Sequence, residues 1–157
     1  LGGWWSITSP PVNEACAWFA IPVSKERFPY FFDRDSPQRR IGALEMLATV
    51  ILLRMAAEHQ GPAHTNLQLS AGTDSQCNRF AFLKCYSRKL PTAAVHMEMM
   101  AAARYFGLWP RLSHVPRERN VWADALSNGD SAGFSQRLRY VPALDDNFFF
   151  FLDNLLD

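Results

Sequence analysis

Residues Asn66 to Ser87 read NLQLSAGTDSQCNRFAFLKCYS, and this stretch decides the fold class. Its opening residues alternate polar and apolar, with Leu67 and Leu69 on one side, as a half-buried strand requires. Gly72-Thr73-Asp74 breaks that alternation, and from about Ser75 to Ser87 the pattern is helical. A strand that passes into a helix through one short turn is the building unit of an α/β protein.

Working upstream, Ser36-Pro37 opens a long helix, with Ser36 as cap and Pro37 at the first helical position. Ile41, Leu44, Ala48, Leu52 and Met55 follow at helical spacing, and Gly61-Pro62 ends the run. Before it, Ala15 to Val23 and Phe28 to Phe32 read as a hairpin across Ser24 to Arg27, with Trp4 to Ile7 as a partner strand. Pro22 and Pro29 belong at strand edges or ends. Downstream, Pro91-Thr92 opens a Met- and Ala-rich helix that stops at Gly107, and Leu108 to Val115 is a strand interrupted by Pro110. Pro116 to Arg119 is a polar loop, and a short helix over Val121 to Leu126 begins at Asn120. The order β-β-β-α-β-α-α-β-α predicts an α/β fold with one mixed five-stranded sheet. Three antiparallel strands come first and alternation follows, with helices packed on the sheet. The rhythm is lost after residue 128, so residues 1–128 form the expected domain and 129–157 an extension or linker carrying the four phenylalanines Phe148 to Phe151.

A chain of 157 residues suits one domain with a real core, and 48% hydrophobic with 20% charged residues is an ordinary globular composition. The net charge of +1 gives no global pull toward a polyanion, although balanced totals can conceal a local patch. Cys16, Cys77 and Cys85 make neither a zinc spacing nor a disulfide framework, which fits a reducing compartment. No stretch approaches the roughly 18 apolar residues of a membrane span, and no signal peptide is visible at Leu1-Gly2-Gly3-Trp4-Trp5. The expected setting is intracellular, cytoplasmic or nuclear, with no membrane partner and no secretion. The start without Met, directly in a strand-like run, suggests a piece of a longer polypeptide.

Three carboxylates stand out. Glu45 shares a helix face with Ile41, Ala48 and Leu52, so it either reaches water at the rim of the stripe or needs a cation. Asp74 lies where a strand gives way to a helix, a position that caps helices and also places ligands beyond strand ends. Asp124 sits near the start of the last helix, where an acidic residue gains from the dipole. Taken as a set, hard oxygen donors from a helix, a strand end and a late helix can converge at one sheet edge. A pair of Mg²⁺ ions ~4 Å apart then becomes a clamp for phosphodiester hydrolysis. No phosphate-binding GxxxxGK[ST] loop competes with this reading.

His114-Val115-Pro116-Arg117-Glu118-Arg119-Asn120-Val121-Trp122-Ala123-Asp124-Ala125-Leu126-Ser127 resembles the closing motif of ribonuclease H domains in retroelement reverse transcriptases, where a strand leads through a polar loop into N-x-x-A-D-x-L-S. Gly72-Thr73-Asp74-Ser75-Gln76 is similar to that family's strand-end aspartate, and Ile41 to Leu47 to its first-helix glutamate. The resemblance spans roughly residues 1 to 128. It implies a ribonuclease H-like fold and cleavage of the RNA strand of RNA–DNA hybrids. It also implies a metal site for two Mg²⁺ ions, with Mn²⁺ as a substitute. Glu45, Asp74 and Asp124 would serve as metal-binding catalytic carboxylates, with a polymerase domain of the same polyprotein as neighbour. The family's fourth carboxylate, an Asp on the first strand ahead of the glycines that resemble Gly2-Gly3, is missing here. Asp33 and Asp35 do not match its motif. The loop Pro116 to Arg119 also lacks the histidine of cellular members, and His114 on the preceding strand reads as structural. A degenerate module with the same fold, binding nucleic acid or bracing a polymerase, is the alternative.

Arg79, Lys84, Arg88 and Lys89, with Phe82 and Tyr86 between them, form a basic window without acidic residues. It reads either as a track for the hybrid backbone or as a solvated helix face. Arg117 and Arg119 flank the last motif within reach of phosphates, and Asn120 begins its helix in the same nucleic-acid-facing position. Gln76 and Asn78 are placed to meet minor-groove 2′-hydroxyls. Trp4, Trp5, Trp18 and Trp122 read as core or edge residues, and Met97, Met99 and Met100 as a packing surface.

Overall fold

A computed structural model of the chain describes residues 1–32, 40–61, 66–84, 89–144 and 148–152, with backbone only at 77, 78, 81 and 82. Ile41–Gln60 forms α1, a run dominated by the strong helix formers Ala, Leu and Met. Ala43, Leu44, Met46, Leu47, Val50, Ile51, Leu53 and Met55 are all buried, so α1 is covered on most sides and lies at the centre of the molecule. It packs along α3, Thr92–Phe106, whose buried Ala94, Val95, Met99, Ala102 and Ala103 let the two helices approach closely. Gly107 ends α3 in the left-handed region at φ 66°, with its N–H bonded to the carbonyl of Ala103. The helix start expected at Ser36-Pro37 lies outside the described residues, as do Asp33 and Asp35.

Two strand pairs lie against these helices. Gly2–Trp5 (β1) runs antiparallel to Ala17–Ala20 (β2), with Gly2 opposite Ala20 and Trp5 opposite Ala17. Leu67–Thr73 (β3) runs parallel to Leu108–His114 (β4), from Leu67 opposite Leu108 to Thr73 opposite His114. A parallel pair needs a crossover, and α2 (Gln76–Leu83) together with α3 supplies it. Pro110 is accommodated because β4 has a free edge, where a missing N–H removes no ladder bond.

The single five-stranded mixed sheet predicted from the sequence is therefore not the architecture. Two sheets of two strands each stand in its place among the described residues, a small α/β arrangement. Part of the reason is Phe28 to Phe32, expected as the third strand. Pro29 starts a 3₁₀ turn there, closed by Phe31 N–H to Phe28 O at 3.1 Å and Phe32 N–H to Pro29 O at 3.1 Å. The turn drives Phe28 and Phe31 into the core edge to face, a burial that needs no strand ladder. The remaining reason is that β1 and β3 do not pair, and a cleft occupies their shared side.

A second, smaller core joins β1 and β2 to α4, Val121–Ser127, through Cys16, Trp18, Leu126 and Phe134, with Trp4 and Trp122 against it. Gly2 makes this possible: a Cβ there would collide with the backbone at Leu126 and Ser127, so only glycine lets α4 lie directly on β1. The segment after α4 folds back over β2. Trp18 donates its indole N–H to Ser135 O at 2.8 Å, Tyr140 N–H bonds Trp18 O at 2.7 Å, and Arg139 bridges to Trp18. Phe148 and Leu152 then enter the main core. Residues 130–144 and 148–152 thus pack on the same body as the rest. No helix among the described residues is long and apolar enough to cross a membrane.

Candidate functional site

A cleft of about 1270 Å³ opens on the side that β1 and β3 leave unpaired. Its lining comprises β1, residues Leu69 to Asp74, the Ile41–Leu44–Glu45–Ala48–Leu52 face of α1, and the region from Arg117 to Ser127. Glu45, Asp74 and Asp124 all line it, although they are separated by up to 79 positions in the chain (124 − 45). The apolar stripe that made Glu45 look out of place is thus the cleft-facing side of α1. The main core takes the opposite side, through Ala43, Met46, Leu47, Val50 and Leu53.

Glu45 lies in the second turn of α1 and is half-buried. Its carboxyl is pushed above the usual glutamate range, chiefly by burial. A hydrogen bond from the Ser75 side chain pulls it partly back, and the negative charge of Asp74 raises it further. Asp74 follows β3 directly, and the turn that presents it is fixed by Ser75 N–H bonding Thr73 Oγ1 at 3.1 Å. One strand-to-helix turn therefore supplies both a second carboxylate and the hydroxyl that orients the first. Ser75 was not among the sequence candidates, and its signal is the Thr-Asp-Ser turn sequence itself.

Asp124 lies on α4 and accepts a hydrogen bond from Arg117 Nη2 at 3.2 Å, an ion pair across seven residues. Its carbonyl accepts from Ser127 Oγ at 2.8 Å and Asn128 Nδ2 at 3.0 Å, closing the short helix. Asp124 thus pairs with a guanidinium, whereas Glu45 feels the negative charge of Asp74. Among the described residues no group of three or more His, Cys, Asp or Glu is gathered closely enough to hold a metal ion. The donor chemistry still suits a hard divalent cation at the Glu45–Asp74 pair. The negative charge of Asp74, which adds to the rise at Glu45, would be offset by a positive ion at the pair.

Of the residues expected to touch nucleic acid, Arg117, Arg119 and Asn120 line the cleft. Gln76 and Arg79 on α2, Lys84 just after it and Lys89 ahead of α3 are not part of its lining, with Gln76, Lys84 and Lys89 exposed and Arg79 half-buried. Arg88 and the Asn78 side chain lie outside the described residues. Trp4, Trp5 and Trp122 contribute to the cleft wall, with Trp4 and Trp122 edge to face at 5.0 Å. Met99 is fully buried while Met97 is exposed, so the methionines do not form one surface. His114 is half-buried at the end of β4 and is not part of the lining. Comparison of the chain with protein-family models, curated proteins and solved structures finds no match, so the chemistry of this cleft rests on its own residues.

Proposed function

We propose that this chain is a phosphodiester hydrolase domain of the ribonuclease H type, cutting the RNA strand of RNA–DNA hybrids as part of a retroelement reverse transcriptase polyprotein. The observation that carries the reading is one cleft lined by Glu45, Asp74 and Asp124 together with Arg117, Arg119 and Asn120. Acidic donors able to take Mg²⁺ or Mn²⁺ and cationic groups able to hold phosphates are what such a reaction requires side by side.

Glu45 and Asp74 would hold a cation, with Asp124 lining the same cleft. When bound, the metal supplies charge neutralisation and a more acidic water. The protein's own part is positional. Ser75 hydrogen-bonds Glu45, Thr73 fixes the turn that bears Asp74, and Gly2 seats α4 with its Asp124 on β1. Arg117 and Arg119 present guanidinium groups suited to bidentate phosphate contact. Such a substrate places the domain inside the cell, in cytoplasm or nucleus, next to its polymerase.

The alternative is a non-catalytic module that binds nucleic acid or braces the polymerase. The pairing of Asp124 with Arg117, and the lack of a three-carboxylate cluster among the described residues, favour it. The deciding test is Mg²⁺-dependent cleavage of a labelled RNA–DNA hybrid. It is run on this chain and on a form extended upstream of Leu1 to supply a first-strand Asp. Cleavage that Asp74→Asn abolishes establishes the hydrolase. Binding of the hybrid without cleavage by either form establishes the module.

A further inference from the structure

We propose that the cleft between β1 and β3 is a slot for one extended peptide strand, supplied by a partner polypeptide and hydrogen-bonded to both facing edges. The inference goes beyond the hydrolase reading and needs neither a metal ion nor a nucleic acid. Leu1 and Ile21 exchange both main-chain bonds, at 2.7 and 2.8 Å, which sets the phase of the β1–β2 ladder. Gly3 and Trp5 therefore bond β2, and the N–H and C=O groups of Gly2 and Trp4 turn the other way. In β3, Leu67 N–H bonds Gly107 O at 2.8 Å, and Thr73 O accepts from Val115 N–H at 2.9 Å. Leu67, Leu69, Ala71 and Thr73 thus face β4, which leaves the backbone groups of Ser70 and Gly72 directed away from it. Gly2, Trp4, Ser70 and Gly72 all line the cleft, and Ser70 and Gly72 are exposed.

The outer edges of the two sheets are protected, and the inner ones are not. Along β2, Tyr140 N–H bonds Trp18 O at 2.7 Å and Arg139 bridges to Trp18. The outer edge of β4 carries Pro110, which blunts it against pairing. Among the described residues β1 and β3 keep open edges, and both open on the same cleft. Its volume of about 1270 Å³ exceeds the roughly 300–1,000 Å³ of a small-molecule pocket. The two faces of the slot set the side-chain pattern of its occupant. Trp5 packs on His59 of α1 and Trp4 on Trp122 of α4, so alternate residues of β1 mark the two faces. Leu44, Ala48 and Leu52 make the α1 face apolar, while the turn at Arg117–Arg119 borders the α4 face. Asp124 is matched by Arg117, whereas Arg119 is exposed and has no ion pair among the described residues. The occupant is accordingly a segment with alternate apolar side chains on α1 and a carboxylate toward Arg119.

The probe is a fluorescein-labelled eight-residue peptide with valine at alternate positions, threonine between them and one central glutamate. It is titrated against the full chain in EDTA, so the outcome is independent of any metal-dependent cleavage. Saturable binding at about 1–100 μM is expected, and no binding at about 1 mM overturns the proposal. Methylating the amide nitrogens of either alternate set removes the donors to one edge and is expected to weaken binding at least about tenfold. Tolerance of one methylated set means addition to a single edge, and tolerance of both means capture by side chains; either result refutes the slot. Hydrogen exchange reads the protein side: the amides of Gly2, Trp4, Ser70 and Gly72 gain protection on binding, and unchanged exchange there overturns the proposal. Ser70→Pro removes one cleft-facing N–H while sparing the β4 ladder, and should weaken the peptide about fivefold. Lysine in place of the glutamate is expected to cost about twofold to fivefold, a preference that Arg119→Gln erases. A preference that survives Arg119→Gln refutes the assigned carboxylate contact. A chain extended upstream of Leu1 that no longer takes up the peptide gives the slot to the chain's own residues and overturns the partner.

Discussion

Replacing Glu98 by Ala tests how the C-terminal segment is held to the helices. Glu98 lies on α3 with no exposed surface, in an otherwise apolar stretch of that helix. Its carboxylate accepts backbone N–H groups from Phe150 at 2.8 and 2.9 Å, Phe151 at 2.8 Å and Leu152 at 3.3 Å. Arg54 of α1 pairs with it at 3.5 Å, and the guanidinium lies over the rings of Phe148 at 4.5 Å, Phe150 at 4.9 Å and Phe106 at 5.6 Å. Alanine leaves three amides without this acceptor and Arg54 without its carboxylate. Removing one partner of a buried ion pair costs about 3–5 kcal/mol, a large share of the ~5–15 kcal/mol of a typical domain. For a chain of this size that corresponds to a fall in Tm of about 6–20 °C. Glu98→Gln keeps one acceptor oxygen and is expected to lose less. The double change Arg54→Leu/Glu98→Leu removes both charges and is expected to be less damaging than Glu98→Ala alone. Urea titration followed by circular dichroism gives the stabilities, and hydrogen exchange at Phe150 to Leu152 reports the segment itself. A Glu98→Ala protein within about 1 kcal/mol of the parent chain, with those amides still protected, would refute the clamp.

The remaining predictions concern titration and close packing. Burial and Asp74 raise the Glu45 carboxyl, so the folded state prefers it protonated. The chain therefore loses stability as pH climbs from the ordinary glutamate range through the raised value. Glu45→Gln is accordingly expected to be more stable than the parent at pH 7, with the difference vanishing in acid; a gain that persists at pH 3 contradicts this. His96 is buried on α3 with Nε2 unpartnered, and burial lowers its pKa. The unfolded chain then binds the proton more readily, and stability falls as pH drops below about 6.5. His96→Leu should flatten that part of a urea-midpoint profile between pH 7 and 5, and an unchanged slope would remove His96 from the account. Gly2→Ala places a methyl against the backbone of α4 and is expected to cost about 1–3 kcal/mol. Gly72→Ala meets only the Val115 side chain at 2.7 Å and should cost less. Equal thermal shifts for the two would argue against the close seating of α4.

Short-range features of this chain were legible from its sequence. The helical run through Ile41 to Met55, the strand that ends at Asp74, the Met- and Ala-rich helix closed by Gly107 and the passage from His114 to Ser127 all depend on neighbours a few positions apart. Periodicity and capping record such relations directly. The aromatic run Phe28 to Phe32 was ambiguous for the same reason. Its composition suits a strand, but Pro29 and the burial of Phe28 and Phe31 favour a 3₁₀ turn. Whether β1 would meet β3 was not written locally at all. Strand pairing joins residues some 65 positions apart, and the outcome depends on what α1 and α4 already occupy.

The three carboxylates show the same division. Their residue types and their places at a helix face, a strand end and a late helix were set by the sequence. Only the tertiary structure decided that all three line one cleft, that Ser75 and Asp74 act on Glu45 from opposite directions, and that Asp124 is matched with Arg117. Charge interactions fall off over a few ångströms and depend on burial. Their sign and strength at each carboxylate are therefore fixed only when distant segments have been brought together.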